Sequence, residues 1–345
     1  MFRVKTSLAK QGNLERPVFR SMTAGSRAFC VSGKVKKGKS KKVWAAVVLA
    51  ALCVAACQRP AARIALSGPT RQLVDDLGRT VTVPAKVTRV VSTAPSVTEN
   101  VFAVGAGDRL VGVTTFCNYP EEAKTIAKVG DTLNPNMETI VNLKPDVVLV
   151  SSASQLENFT KVLADNGIAV YVTNPVTLDD VFQSLLRLGE LFDTRGQAES
   201  MVTNLSNRVS LLSHLVSFVE PRGERKVLTK VFVQISNEPL FTVGRDSFLT
   251  DIIKRAYGES VTKEVLTAYP TLSKETASAL NPDVIILSES SDNQQPNAAF
   301  RNSSAVRNGR VYKINADILS RPGPRLVDAM EQIARFLHPE EFRNN

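Results

Sequence analysis

A fourteen-residue segment that occurs twice constrains the fold of this chain more than any other feature of its sequence. Residues 138–151 recur 137 positions later as residues 275–288, and seven of the fourteen positions are identical. In each copy a short helical pattern ends before a Pro-Asp pair and an apolar run follows, because Pro cannot continue a helix and disfavours helical geometry at the residue before it. The repeat therefore predicts two similar α/β lobes in one chain.

Short apolar runs rich in β-branched residues alternate with helical patterns through the body of the chain. Their length and composition are typical of strands that are buried on both faces of a parallel sheet. An alternating segment that precedes them, 75–84, is typical of a hairpin. The predicted strands are 87–92, 109–114, 146–151, 168–173, 226–234, 283–288 and 310–314.

Two helical patterns interrupt this alternation near mid-chain. Thr177 and Asp180 form an N-cap signature for a helix over 178–192. Apolar residues at steps of three and four predict a longer helix over 195–219, about 37 Å in length. This longer helix is predicted to be a stiff spine between the lobes. The predicted divisions are an N-terminal lobe over 73–193, the spine over 194–220 and a C-terminal lobe over 221–345.

The first 56 residues have the order of an export signal. A basic segment, 34–42, precedes fourteen uncharged residues, 43–56, that end in small side chains. An apolar run needs about 18 residues to span a bilayer, whereas the apolar part of a signal peptide has about 7–15. Residues 1–56, with Met1 or Met22 as the start, are therefore predicted to be a lipoprotein signal peptide that is removed.

The segment that follows this signal is predicted to attach the protein to a membrane. Val54-Ala55-Ala56-Cys57 resembles a bacterial lipobox, in which the Cys57 thiol accepts a lipid. The alternative is an ordinary cleavage site that happens to precede a cysteine. Residues 57–72 are rich in Ala, Pro and Arg without a period and predict a tether. The body is therefore expected on the periplasmic or extracytoplasmic face of the cell membrane.

Charge and motif content exclude several function classes. The chain has 43 Lys plus Arg against 33 Asp plus Glu, but twelve of the basic residues and only one acid lie in 1–56, so the body is nearly neutral. No nucleic-acid partner is predicted, because that binding needs clustered cations. His214 and His338 are the only histidines, and phosphate-loop, dinucleotide and nucleophile motifs are absent from the sequence. Neither a metal site, a cofactor nor an enzyme activity is predicted.

Glu138 and Glu275 occupy the same place in the two copies of the repeat, at the start of a short helix. The structural interpretation is that an acid favours a helix N-terminus, by about 0.3–1 kcal/mol. The functional interpretation is that duplicated acids on two similar lobes offer matched contacts to a partner with twofold symmetry, such as a dimeric membrane permease. The sequence leaves both interpretations open at this point.

Six motifs resemble, in order and spacing, the periplasmic binding proteins of ABC importers for cobalamin, ferric siderophores or haem. The resemblance covers about 73–342 and is carried by 89–99, 118–120, 136–138, 144–146, 244–248 and 317–325. It implies the class III fold of that family, two α/β lobes joined by one long helix, in a monomer that binds and does not catalyse. It also implies a permease dimer with ATPase subunits as partner, which Glu138 and Glu275 would meet with one acid per lobe.

The resemblance further implies a small-molecule ligand held between the lobes by loops at strand ends. Aromatic rings there suit stacking on a flat ring, and Arg321 suits a carboxylate or amide edge. Tyr269 and Asp131 stand where cobalamin binders have aromatic residues, so the ligand stays open between a corrinoid, an iron(III) siderophore and haem, with Tyr119 or Tyr269 as oxygen donors to iron. For each position the alternative is loop packing or, for Arg325, capping of the last helix. The implied ligand-binding residues are Pro95, Ser96, Tyr119, Asp131, Phe241, Tyr269, Asp317, Arg321 and Arg325.

These observations predict a lipid-anchored substrate-binding component of an ABC importer. The rival prediction is a surface lipoprotein that uses the same lobes for adhesion or signalling and has no transport partner.

Overall fold

The computed structural model describes residues 68–151, 156–217 and 227–343. The predicted signal peptide, Cys57 and the first part of the predicted tether lie outside the described residues. The described chain begins with an antiparallel hairpin of β1 (Thr70–Val74) and β2 (Thr80–Pro84). The Oδ1 atom of Asp75 shapes the turn between them, because it accepts the backbone N–H groups of Leu77 and Arg79. Residues 70–72, which were predicted to belong to the tether, are therefore part of the fold.

The first half of the described chain forms a parallel sheet of four strands. The strands are β3 (Val90–Ser92), β4 (Leu110–Val113), β5 (Val147–Ser151) and β6 (Ala169–Thr173), and the helices are α1 (Pro95–Ala103), α2 (Met137–Asn142), α3 (Leu156–Asp165) and α4 (Leu178–Leu191). The strand order is β4-β3-β5-β6, so β3 and β5 lie in the middle.

The predicted pair of mid-chain helices is present. The side chain of Thr177 accepts the backbone N–H of Asp180, whose carboxylate in turn accepts the N–H of Thr177, so the N-cap read from the sequence is a complete capping box for α4. The following helix, α5 (Arg195–Ser217), has 23 residues. At 1.5 Å per residue it is roughly 34 Å long.

The second half of the described chain forms another parallel sheet of four strands. The strands are β7 (Thr229–Gln234), β8 (Gly258–Ser260), β9 (Val284–Glu289) and β10 (Val311–Asn315), and the helices are α6 (Phe248–Arg255), α7 (Lys274–Leu280), α8 (Ser304–Arg307), α9 (Ala316–Leu319) and α10 (Leu326–Leu337). The strand order is β10-β9-β7-β8. In both sheets the first strand in chain order lies between the second and the third, and the fourth lies outside the third. The two lobes therefore share one topology.

The internal repeat has the same local structure in both lobes. The side chains of Asn136 and Ser273 cap α2 and α7 by accepting the backbone N–H three residues later. After each helix, the residue directly before the proline has positive φ, Lys144 at 48° and Asn281 at 41°. These matches occur at the spacing of 137 residues that the sequence shows.

The aspartate of each Pro-Asp pair ties its strand to the neighbouring one. In the first lobe Oδ2 of Asp146 accepts the backbone N–H groups of Thr88 and Arg89, at 2.7 and 2.9 Å. In the second lobe Oδ2 of Asp283 accepts the N–H of Lys230 at 3.1 Å. The Pro-Asp pair thus stops a helix and sets the position of the central strands.

Both faces of each central strand are buried, as parallel sheets require. In β5 the alternate residues Val147 and Leu149 belong to a core cluster that includes residues of both lobes and of α5, whereas Val148 and Val150 belong to a separate cluster. The strand β9 divides its residues in the same way between the shared core and a third cluster. One face of each sheet therefore packs into a core common to the two lobes.

All seven strands predicted in the two lobes are present, and one strand was missed. The strand β8 has only three residues, Gly258–Ser260. None of them has a large apolar side chain, so the sequence shows no apolar run there. Within the described residues, no helix combines the length and apolar composition needed to cross a membrane.

Candidate binding site

The loops at the carboxyl ends of the two sheets contact each other. Asn118, in the loop after β4, donates from Nδ2 to Oδ2 of Asp317 at 2.8 Å. Asp317 lies in α9, directly after β10. The Oδ1 atom of Asn118 also accepts from Nη1 of Arg321 at 2.8 Å. The carboxyl ends of the parallel strands of both lobes therefore face one another, and ligands of open α/β sheets bind at such ends.

A buried carboxylate holds this meeting of the lobes together. The side chain of Glu99, in α1, is 2% exposed. Its Oε1 accepts from Arg321 Nη1 at 2.9 Å and from Arg325 Nη2 at 2.6 Å, and its Oε2 accepts from Arg325 Nε at 2.9 Å. We refer to Glu99, Asp317, Arg321 and Arg325 as the interlobe cluster. Breaking a buried ion pair of this kind leaves an uncompensated charge, which is strongly destabilising.

The two predicted arginines, Arg321 and Arg325, therefore form hydrogen bonds with groups of the protein itself. Arg321 is 9% exposed, and it also donates from Nη2 to the Phe116 carbonyl at 3.3 Å and to Oδ1 of Asp317 at 2.5 Å. Burial alone would lower the pKa of Arg325, but its hydrogen bonds to Glu99 and the charge of Glu99 raise the pKa above its ordinary value. The interpretation of Arg325 as a helix cap is incomplete, because it precedes α10 but makes no side-chain cap bond. That either arginine contacts a ligand stays a prediction.

Two of the predicted aromatic residues, Tyr119 and Tyr269, are about half exposed. Tyr119 is 48% exposed, and the guanidinium of Arg325 lies 4.1 Å from its ring centre. Tyr269 is 46% exposed, and burial raises the pKa of its phenol, against a smaller opposing effect of a hydrogen bond with Ser247. That Tyr119 or Tyr269 donates an oxygen to iron stays a prediction.

The remaining predicted residues lie on loops or helix starts at the same sheet ends. Pro95 and Ser96 form the first turn of α1, directly after β3, and both are partly buried. Phe241 is partly buried, and its backbone pairs with Ser236 and Thr271 in isolated bridges. These placements agree with a lining role, without showing contact with a ligand.

Asp131 has a local role that the sequence did not indicate. Its Oδ1 accepts the backbone N–H groups of Leu133 and Asn134, at 2.7 and 2.6 Å. The bond from the Asn134 backbone is the main cause of a lowered pKa for this carboxyl. Asp131 therefore shapes its own loop, and its contact with a ligand stays a prediction.

Several residues at these sheet ends were not identified from the sequence. Glu99 and Asn118 carry the contact between the lobes, and no local pattern connects Glu99 with Arg321, 222 positions away. Large apolar side chains are also exposed on the same loops, at Phe116, Leu133 and Leu266. Exposed apolar residues are informative only when they cluster. A single sequence does not reveal which of them share a surface.

A pocket of about 290 Å³ opens beside the interlobe cluster. Its walls come from α1, from the segment that contains Tyr119 and Pro120, from Met201 of α5 and from Pro324 and Arg325. The pocket thus joins both lobes and the spine, and it approaches the lower end of the size range of small-molecule sites. Among the described residues, no three His, Cys, Asp or Glu side chains lie close enough together to hold a metal ion.

The repeated acids Glu138 and Glu275 are both exposed, in the first turns of α2 and α7. A helix that returns the chain to a parallel strand begins near the carboxyl ends of the sheet, so both acids lie toward the edge where the lobes meet. Bonds from its own backbone N–H and from Ser273 lower the pKa of Glu275. Its carboxylate is therefore charged at neutral pH.

Comparison with known proteins identifies the family. The model of the periplasmic binding protein family matches residues 90–318, which include both sheets and α5. The chain belongs to this family. The resemblance inferred from the six motifs is confirmed, and the two lobes and the helix between them are the class III fold of periplasmic binding proteins.

Individual members of the family resemble nearly the whole described chain. An uncharacterised ABC transporter substrate-binding lipoprotein of Bacillus subtilis, YvrC, is 30% identical over 88% of this chain and 99% of its own length. A vitamin B12-binding protein of Pectobacterium atrosepticum is 30% identical over 72% of this chain and 88% of its own. The crystal structure of the periplasmic vitamin B12-binding protein BtuF of Vibrio cholerae superposes with a TM-score of 0.65 at 26% identity, covering 74% of this chain and 99% of that one.

The close approach of the lobes in this binding protein depends on a glycine. A Cβ at Gly323 would lie 2.9 Å from Oδ1 of Asn100, whose Nδ2 donates to the Pro322 carbonyl at 3.4 Å. We predict that Gly323→Ala lowers the free energy of unfolding by about 1–3 kcal/mol, because overpacking forces this buried amide to move. Urea unfolding followed by circular dichroism measures the change.

Gly196→Ala is the matched control, because nothing lies within 4 Å of a Cβ at this position of α5. It should raise the free energy of unfolding by up to about 1 kcal/mol, since Ala has the higher helix propensity. Equal effects of the two substitutions would show that the lobes do not pack closely at Gly323.

Proposed function

We propose that this protein is the substrate-binding component of an ABC importer and that it captures a corrinoid between its two lobes. The observation that carries the proposal is the pair of half-exposed tyrosine rings, Tyr119 and Tyr269, at the facing ends of the two sheets. Flat conjugated ligands stack on such rings. The relatives that bind vitamin B12 support the same class of ligand. The proposed role is binding by a monomer, with no catalytic step.

An iron(III) chelate is the second candidate, either an intact siderophore or haem. Binding iron through a tyrosine oxygen requires the phenolate, and the raised pKa of Tyr269 disfavours that form. The Tyr119 ring is covered on one side by Arg325. Both residues are thus better suited to present a ring face than an oxygen. This favours a ligand whose metal is already saturated, such as a corrinoid.

Two substitutions at one position test this proposal. Tyr269→Ala should weaken the binding of cyanocobalamin by about 1–3 kcal/mol, as expected for loss of a stacking anchor. Tyr269→Phe should bind nearly as well as the wild-type chain, because the proposed contact uses the ring and not the hydroxyl group. Isothermal titration calorimetry measures both affinities.

The pair of variants separates the two candidate ligands. If a phenolate holds iron, Phe should impair binding of the iron chelate as severely as Ala does. A wild-type chain that does not bind cyanocobalamin would contradict the corrinoid proposal.

We also propose that the mature protein is a lipoprotein that begins at Cys57. The lipobox-like residues and the tether support this anchor, as does the lipoprotein relative in Bacillus subtilis. Partition of the native protein into the detergent phase, and of a Cys57→Ala variant into the aqueous phase, tests the anchor. Retention of the variant in detergent would contradict it.

Delivery to the permease is proposed to use Glu138 and Glu275. Both acids are exposed and charged side chains at equivalent positions of the two lobes, and within the described residues neither forms an ion pair. Two cations related by the symmetry of a permease dimer would match them. Such surface charges mainly steer association and lose their effect in high salt.

The double variant Glu138→Arg with Glu275→Arg tests this contact. It should weaken binding to the permease by on the order of tenfold at low salt, and leave ligand affinity unchanged. The matched control is Asp108→Arg with Asp165→Arg, which makes the same charge change at exposed residues that precede β4 and β6. Surface plasmon resonance on permease in nanodiscs measures docking. An equal loss of docking in both double variants would show that the effect comes from net charge alone.

If no permease binds the protein at all, the rival function in adhesion or signalling is favoured. In that case uptake of the ligand by cells should not depend on this protein.

A further inference from the structure

The fixed charges of the interlobe cluster cancel. Two guanidinium groups, Arg321 and Arg325, contact two carboxylates, Glu99 and Asp317, within a network of direct hydrogen bonds. We infer that Glu99 is a positioning residue that sets the charge class of the ligand, so that the site accepts neutral, amide-bearing ligands and rejects anionic chelates. This inference rests on the proposed function, and it concerns which members of the ligand class bind.

Glu99 is placed to neutralise both arginines at once. It is the only one of the two carboxylates that is fully buried, and it bonds with each guanidinium at 2.9 Å or less. Solvent cannot screen a charge in that position, so its field acts on a ligand in the cleft. A ligand carboxylate near Arg321 and Arg325 would find their positive charges already neutralised by the carboxylates of the cluster. It would also be repelled by the negative charge of Glu99.

Neutral hydrogen-bond acceptors on a ligand are not repelled in this way. A guanidinium has five N–H donors. Arg325 uses Nε and Nη2 to hold Glu99 in a bidentate contact, and within the described part of the chain its Nη1 makes no hydrogen bond. Because Arg325 lies over the exposed ring of Tyr119, a ligand stacked beside Tyr119 would come near those donors. An amide carbonyl can accept from them without bringing a net charge into the cleft.

Glu99→Gln tests the inference, because glutamine keeps the shape of the side chain and leaves one positive charge uncompensated. The probes are cyanocobalamin, whose ring carries amide side chains, and ferric haem, whose ring carries two propionates. The wild-type chain should prefer cyanocobalamin. In Glu99→Gln the ratio of the two dissociation constants should shift toward haem by at least about tenfold, or about 1.4 kcal/mol. The gained haem affinity should depend only weakly on salt, because the uncompensated guanidinium is largely buried.

Charge-matched controls separate this effect from a structural one. Glu331→Gln makes the same chemical change in the ion pair with Arg208, between α5 and α10, and should leave the ratio of dissociation constants unchanged. The double variant Glu99→Gln with Arg325→Gln removes one charge of each sign. It should bring the ratio of dissociation constants most of the way back to the wild-type value. General loosening of the lobes would instead weaken both probes together in every cluster variant.

A second variant covers the case in which Glu99→Gln does not fold. Asp317→Asn removes the more exposed carboxylate of the cluster, and it should shift the ratio in the same direction by a smaller amount. Near-ultraviolet circular dichroism establishes that each variant is folded before it is titrated.

The possible outcomes separate the proposed function from the inference on Glu99. A wild-type chain that binds neither probe contradicts the proposed function and this inference with it. Cyanocobalamin binding with an unchanged ratio in folded Glu99→Gln, or a wild-type chain that prefers haem, contradicts the inference on Glu99 alone.

Discussion

The buried carboxylate of Glu99 is the interaction on which the arrangement of this protein depends. A shared topology does not by itself fix the orientation of one lobe relative to the other. The apolar core that the lobes share leaves the carboxyl ends of their strands to be aligned by polar contacts. Glu99 provides that alignment, because it is inaccessible to water and bonds with two arginines that lie 222 and 226 positions later in the chain. Arg325, which this contact holds, lies over the Tyr119 ring and lines the pocket beside it.

The fold was largely predictable, because its strongest determinants are local. The Pro-Asp pairs stop a helix and begin a buried strand in both lobes, and Thr177 with Asp180 forms the capping box that the sequence indicates. The misses have physical reasons. The three-residue β8 carries no apolar run, and β1 begins in polar residues that pair with β2 without being buried in a core.

The candidate binding site was less predictable, because its geometry depends on contacts between distant residues. The motifs led to Arg321 and Arg325, but only the fold shows that Glu99 holds both of them. Tyr119 and Tyr269 lie on the expected loops, and their contacts with a ligand stay predictions. Asp131 lies on the expected loop, but its carboxylate bonds with that loop's own backbone. No pattern in one sequence records such pairings.

The central claim, that a metal-containing flat ligand lies between the carboxyl ends of the two sheets, is tested most directly by anomalous diffraction from crystals of the protein with cyanocobalamin. The account predicts one cobalt peak per chain, between the loop that contains Tyr119 and the loop that contains Tyr269. A peak on the outer surface of either lobe, or no peak under conditions in which calorimetry shows binding, would contradict it.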